Sequence, residues 1–297
     1  MKMEQLYGTG VALVTPFKKD GSLDLDALKR VVQHSIEGGV DYLVVLGTTG
    51  ESVTLTKEEK KKVVETVLLE NNGRLPLVIG IGGNNTSAVA EELKSTDLTP
   101  FDAVLSVSPY YNKPTQEGIF QHYKVLASAS SKPIILYNVP GRTGSNILPA
   151  TVVRIAESCP NVIGIKEACG DIEQIKELIR NVPDGFYIIS GDDITALPTV
   201  IEGGIGVISV LGQGMPSEMS RMIRYGLNGE YDKAHQLHNA LSPGMGLIFE
   251  EGNPAGIKAI FESLGISTAT VRLPLVEASP ELKSKIAAFV QSFAIPI

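Results

Sequence analysis

Residues 161–169 read NVIGIKEAC, a run of small and apolar residues that ends in a lysine. A strand with one wet face alternates apolar and polar side chains, whereas a strand covered on both faces is continuously apolar, so this run reads as part of a parallel sheet lying between helices. Seven further runs are of the same kind: TGVALVTP from Thr9, DYLVVLG from Asp41, PLVIGIG from Pro76, DAVLSVSP from Asp102, PIILYNV from Pro133, FYIISG from Phe186 and IGVISV from Ile205. Their starts lie 19 to 35 residues apart, and most of the gaps hold a helix-period segment such as DLDALKRVVQHSIEGG or TKEEKKKVVETVLLENN.

Strands alternating with helices build βαβ units, and eight of them in this length predict an α/β protein with a (β/α)8 TIM barrel rather than an open doubly wound sheet. The barrel is assigned to residues 1–214. Residues 215–297 read as a wholly helical C-terminal extension, which includes the last barrel helix and packs beside the barrel. No Pro/Gly/Ser-rich linker separates the two, so they are expected to fold together. Thr56 and Glu59 have capping-box spacing for the helix after the second strand, and the basic run Lys60, Lys61, Lys62 reads as its solvated face.

Acidic residues outnumber basic ones by 33 to 26, which argues against a nucleic-acid footprint and against an anionic membrane surface. The two cysteines, Cys159 and Cys169, have neither disulfide-framework nor C-x-x-C spacing, which suits a reducing compartment. The opening MKMEQLYGTG has no long apolar segment and no apolar run approaches the roughly 20 residues of a membrane span, so a cytoplasmic protein is expected.

Barrel enzymes build their sites from the loops at the C-terminal ends of the strands. Here those ends carry the unusual residues: GTTGES after strand two, SPYYNKPTQEG after four, YNVPGRTG after five, KEA after six and SGDD after seven. Lys166 therefore sits at the mouth. A lysine amine attacks a carbonyl only when neutral, and an apolar strand end favours the neutral form, so Lys166 is a candidate for imine formation. The other reading is a lysine paired with Glu167 or Asp192 at a wet barrel end. Tyr137 is either a proton relay or a core aromatic, and Arg142 is either a carboxylate clamp or an exposed loop residue. His34, His122, His235 and His238 lie in helical stretches away from the strand ends, with no metal-ligand pattern. GIGGNN and GGIGV lack the dinucleotide-binding glycine order.

Taken together, these motifs resemble the class I pyruvate-dependent aldolase family of dihydrodipicolinate synthase and N-acetylneuraminate lyase. The resemblance runs nearly end to end, through GTGVALVTPF, GTTGE, SPYYNKPTQEG, YNVPGRTG, GIKEA, SGDD and GVISV. It implies a Schiff base between Lys166 and pyruvate, enamine attack on L-aspartate 4-semialdehyde and cyclisation, the first committed step of diaminopimelate and lysine biosynthesis. It further implies a proton relay of Thr48, Tyr137 and Tyr111, with Tyr111 reaching in from a neighbouring subunit of a homotetramer built as a dimer of dimers. Thr49 would hold the pyruvate carboxylate through its backbone, Arg142 would take the semialdehyde carboxylate, and Gly191 and Ile208 would line the pocket. No metal or organic cofactor is implied.

The lyase branch typically has serine in place of Thr48 and no arginine at Arg142, so this chain resembles the synthase branch; the alternative is a pyruvate-dependent aldolase acting on a sugar acid. Lysine-sensitive members often carry His at the positions of Lys57 and Lys60 and Glu at Ala88, whereas Ser52, Asn84 and Tyr110 keep the sensitive pattern. Two added cations and one lost acid disfavour a cationic effector, so inhibition by lysine is expected to be weak or absent. Micromolar inhibition in a steady-state assay would contradict this.

Overall fold

The computed structural model describes residues 6–294. All eight apolar runs form strands: β1 Gly8–Ala12, β2 Tyr42–Val45, β3 Leu77–Gly80, β4 Ala103–Val107, β5 Ile134–Asn138, β6 Val162–Glu167, β7 Tyr187–Ser190 and β8 Gly206–Ser209. Each pairs in parallel with the next and β8 pairs with β1, so the sheet closes on itself and leaves no edge. Alternation along the strands divides the side chains between two cores. Tyr42 and Val44 of β2 join the cluster that fills the barrel, with Leu105, Ile189 and Ile208, while Leu43 and Val45 face the surrounding helices. A Cβ on Gly10 would lie 2.1 Å from the Tyr42 ring, so only glycine lets that buried phenol cross the interior.

The helices are α1 Leu25–Glu37, α2 Lys57–Asn71, α3 Thr86–Ser95, α4 Gln116–Ala129, α5 Pro140–Thr143, α6 Pro149–Ser158, α7 Ile172–Asn181, α8 Asp193–Ile201, α9 Pro216–Leu227, α10 Tyr231–Glu250, α11 Ala255–Ser263 and α12 Pro280–Ala294. α1 starts where the Asp24 carboxylate accepts the Ala27 N–H at 2.9 Å, and it buries Leu28, Val31 and Val32 on one face. Each such side chain contributes about 1.5–3 kcal/mol on leaving water. The capping box of α2 is formed in both directions, between Thr56 and Glu59.

After β8 the chain continues into α9, which packs on β1, β8 and α8. Ile248, Ile257, Phe261, Leu282 and Phe289 from the following helices belong to the same apolar cluster as Val31 and Leu43, so one core serves the barrel wall and the C-terminal helices. The expectation of a wholly helical C-terminal region fails at residues 264–279, which run as an irregular strap between α11 and α12. Gly265 at φ +69° ends α11, and Pro274 and Pro280 cannot donate to a continuing helix. The strap finds its partners on the barrel instead: Thr268 Oγ1 donates to the Phe17 carbonyl at 2.6 Å, and Arg272 donates to the Gly21 carbonyl and to Glu59. The Arg272 fork holds the Glu59 carboxyl well below the usual range, at about 2. Among the described residues no helix is long and apolar enough to cross a membrane.

Candidate active site

Lys166 lies on β6 directly beside Tyr137 of β5 in the strand register, with only 4% of its surface exposed. Ile134 pairs with Val162 and Ile135 with Gly164, which leaves Ile163 as an extra residue in β6. A bulge of this kind re-aims the side chains that follow it, and here it sends Lys166 to the inside and Glu167 to the outside. The Lys166 ammonium sits 4.4 Å from the centroid of the Tyr137 ring. A Cβ on Gly191 would come within 3.0 Å of Cγ and Cε of Lys166, so this glycine makes room for the lysine stem.

The pairing of Lys166 with Glu167 does not occur. Glu167 is fully buried behind the barrel wall, where its carboxylate accepts from Asn138 Nδ2 at 2.8 and 3.0 Å, from the Cys169 N–H at 2.9 Å and from Gln174 Nε2 at 3.1 Å. Burial lifts this carboxyl above its ordinary range against those four bonds. Among the described residues no carboxylate lies within 4.0 Å of the Lys166 amine. Asp192 shares its cavity: burial raises the Asp192 carboxyl, opposed by the Ile194 N–H and by attraction to Lys166. Next to it, Asp193 accepts from Ser209 Oγ and from the N–H groups of Val210 and Leu211, which ties the mouth end of β7 to that of β8. Complete burial pushes the Asp193 carboxyl up to about 6.

Lys166 opens into a cavity of about 220 Å³ lined also by Thr49, Tyr137, Arg142, Gly191 and Asn253. Tyr137, Val139 and Arg142 also line a second cavity of about 430 Å³, which reaches Thr48, Ser52 and Tyr110. Thr48 and Thr49 occupy a short 3-10 turn after β2 in which Thr49 is buried and Thr48 is exposed. Asn253 Nδ2 donates to Thr49 Oγ1 at 2.9 Å, and the Asn253 carbonyl accepts from the Arg142 guanidinium at 3.3 Å. Arg142 itself stands on α5, exposed over the mouth.

Lys166, Tyr137, Thr49, Arg142 and Gly191 thus meet in one cavity, and Thr48 joins the adjoining one. Two predicted residues stand apart. Ile208 is fully buried in the cluster inside the barrel and contributes to neither cavity wall. Tyr111 is 89% exposed at φ +69°, projecting from a loop held by the Asn84–Tyr110 and Asn112–Asn84 hydrogen bonds. Lys60, read from the sequence as part of a solvated helix face, instead lines the larger cavity; Lys61 and Lys62 are exposed as expected. Asn253 escapes a sequence reading because it lies in GNPAG between two C-terminal helices, where no strand end marks the mouth.

An amine with no carboxylate within 4.0 Å among the described residues, a phenol beside it, a hydroxyl-bearing turn and a guanidinium over the entrance suit covalent capture of a small oxo acid. Residues 5–293 match the model of the dihydrodipicolinate synthetase family. The chain is 58% identical over 292 residues to a 4-hydroxy-tetrahydrodipicolinate synthase of Flavobacterium psychrophilum, covering 98% of this chain and 100% of that protein. Its fold matches a crystal structure of dihydrodipicolinate synthase from Thermotoga maritima with a TM-score of 0.95 at 39% identity, over 98% of this chain and 99% of that one. A chloride-inhibited dihydrodipicolinate synthase from Acinetobacter baumannii, solved in complex with pyruvate, matches with a TM-score of 0.93 at 38% identity, over 98% and 100% of the two chains.

Proposed function

Because the chain belongs to the dihydrodipicolinate synthetase family, we propose that it is a Schiff-base-forming lyase that condenses pyruvate with L-aspartate 4-semialdehyde through Lys166. The observation that carries this reading is the Lys166 amine, enclosed in a small cavity beside Tyr137, with Asp192 on the same cavity wall but no carboxylate within 4.0 Å among the described residues. The amine adds to the C2 carbonyl of pyruvate, and loss of water gives the imine. Removal of a C3 proton gives the enamine, whose C3 attacks the aldehyde carbon of the second substrate. Its amino group then closes the ring onto C2 and releases Lys166.

Each step moves a proton. Tyr137 is placed to give and take it, with Thr48 and the Tyr111 of a second copy of this chain as its relay. The exposure of Tyr111 supports that assignment, since a phenol that serves no site in its own subunit is free to serve another. The dimer this requires, and a tetramer of two such dimers, belong to the same proposal. The Thr49 backbone receives the pyruvate carboxylate, and Arg142 receives that of the semialdehyde.

Pyruvate consumption with aspartate semialdehyde, set beside sugar-acid aldolase substrates, tests the reading; turnover with the sugar acids alone would overturn it. In the same assay Arg142→Ala is expected to lower semialdehyde turnover by about 10–100-fold, the loss of a charge-assisted carboxylate contact. Imine formation with pyruvate should stay within a few-fold of the parent. Equal losses in both steps would remove the assigned role.

A further inference from the structure

Among the described residues one ion pair lies wholly inside the protein and outside the cavity. Lys258 of α11 is 0% exposed and Glu51 is 3% exposed, and the lysine Nζ donates to Glu51 Oε1 at 2.5 Å and to the Thr270 carbonyl at 2.8 Å. The second Glu51 oxygen accepts the Arg272 N–H at 3.0 Å. Lys258 and the Arg272 guanidinium both lie against the Phe17 ring, 4.2 and 4.3 Å from its centroid. Burial pulls the Lys258 ammonium down to about 8, with Glu51 opposing, so it carries its proton at neutral pH.

A buried pair of this kind is a poor source of stability, because desolvation cancels most of the attraction. Its placement suggests a different use. Glu51 directly follows the Thr48–Gly50 turn, and it holds a left-handed backbone, φ +51° and ψ +33°, that a side chain with a Cβ keeps only when its surroundings fix it. The Glu51 N–H closes the turn onto the Thr48 carbonyl at 3.1 Å, and Thr15 Oγ1 holds the Gly50 carbonyl at 2.7 Å. The carboxylate is therefore an anchor at one end of the segment that presents Thr48 and Thr49, and its cation comes from outside the barrel.

We propose that Lys258 and Glu51 are positioning residues for the reaction, with α11 and the strap setting the Thr48–Thr49 turn through this pair. The proposal rests on the pyruvate-imine reading for what the turn does. Rapid mixing of enzyme and pyruvate, quenching with borohydride and intact-mass detection give the imine rate per folded molecule, and steady-state assays give kcat and KM. All are read well below each variant's melting midpoint. Lys258→Met is expected to slow imine formation about tenfold or more and to raise the pyruvate KM several-fold, as displacement of positioning groups does. Glu51→Gln keeps one acceptor oxygen but turns an amide NH2 toward the second donor and leaves the Lys258 ammonium without its counter-charge, so it is expected to slow imine formation about tenfold as well; a parent-like rate there overturns the proposal.

A Lys258→Met protein with a lowered melting midpoint but parent-like constants would make the pair merely structural and overturn the proposal. If that variant does not fold, Glu51→Leu with Lys258→Met leaves no buried charge and is expected to show the same loss; a parent-like rate there overturns it equally. Failure of the parent itself to trap pyruvate would overturn the imine reading and this proposal with it, a result seen before any variant is made.

Discussion

Lys166→Ala protein mixed with pyruvate and borohydride is expected to gain no adduct mass, and its turnover should fall by about 10³-fold or more, the scale of losing a covalent nucleophile. The variant should still fold. Among the described residues Lys166 has no carboxylate within 4.0 Å, so its removal breaks no salt bridge; Asp192 of the same cavity loses an attracting charge, and the apolar cluster beneath is untouched. Lys258 is sealed in its ion pair, whereas Lys60 lines the adjoining cavity and is the amine to look for if an adduct persists. An adduct in Lys166→Ala at the parent's rate would move the nucleophile to another lysine, and peptide mapping would find it.

Tyr137→Phe is expected to lower kcat by about 10²–10⁴-fold, the range for removing a positioned general acid–base group. Phenylalanine keeps the ring that packs beside the Lys166 stem and keeps the strand register, so only the hydroxyl is lost. Pyruvate KM should then change little, because the pyruvate carboxylate is assigned to the Thr49 backbone and not to the Tyr137 hydroxyl. A loss smaller than about threefold would reduce Tyr137 to a packing residue, which is the other reading its sequence context allows.

The strands are legible because both of their faces are buried, and in a chain of this length a short, continuously apolar run bounded by turn residues has little else to be. The mouth is legible because barrel topology sends every strand the same way, so unusual residues gather at one set of ends. Lys166, Tyr137, Thr49, Arg142 and Gly191 follow from that logic, together with the family resemblance. Residues whose role depends on contacts from far along the chain are not legible. Asn253 reaches Thr49 across 204 positions and Lys258 reaches Glu51 across 207. In NPAGIKAIFES the lysine is one polar residue in an ordinary amphipathic pattern, and no local spacing says that it is sealed. Lys60 fails for a related reason, since its helix is polar on most sides and periodicity does not tell which lysine faces the groove. The bulge at Ile163 is equally hidden: a one-residue slip reverses inside and outside without changing composition.

The separation between Glu51 and Lys258 also governs how the protein is made. At about 5–20 residues per second, a ribosome that has added Glu51 needs roughly 10–40 s to reach its cation 207 positions later. Val14 waits almost as long for Gln213, whose side chain accepts its N–H from 199 positions away. Throughout that interval the nascent chain holds a carboxylate destined for a dry interior and a turn that has Thr15 but neither Asn253 nor Lys258 to fasten it. Lys166 is translated before Asn253 and Lys258, so the proposed nucleophile is present while the turn proposed to receive its substrate still lacks those two partners. The proposed catalytic centre is thus among the last parts of the newborn chain to be completed, and a synthesis halted short of residue 258 would lack the cation that pairs with Glu51.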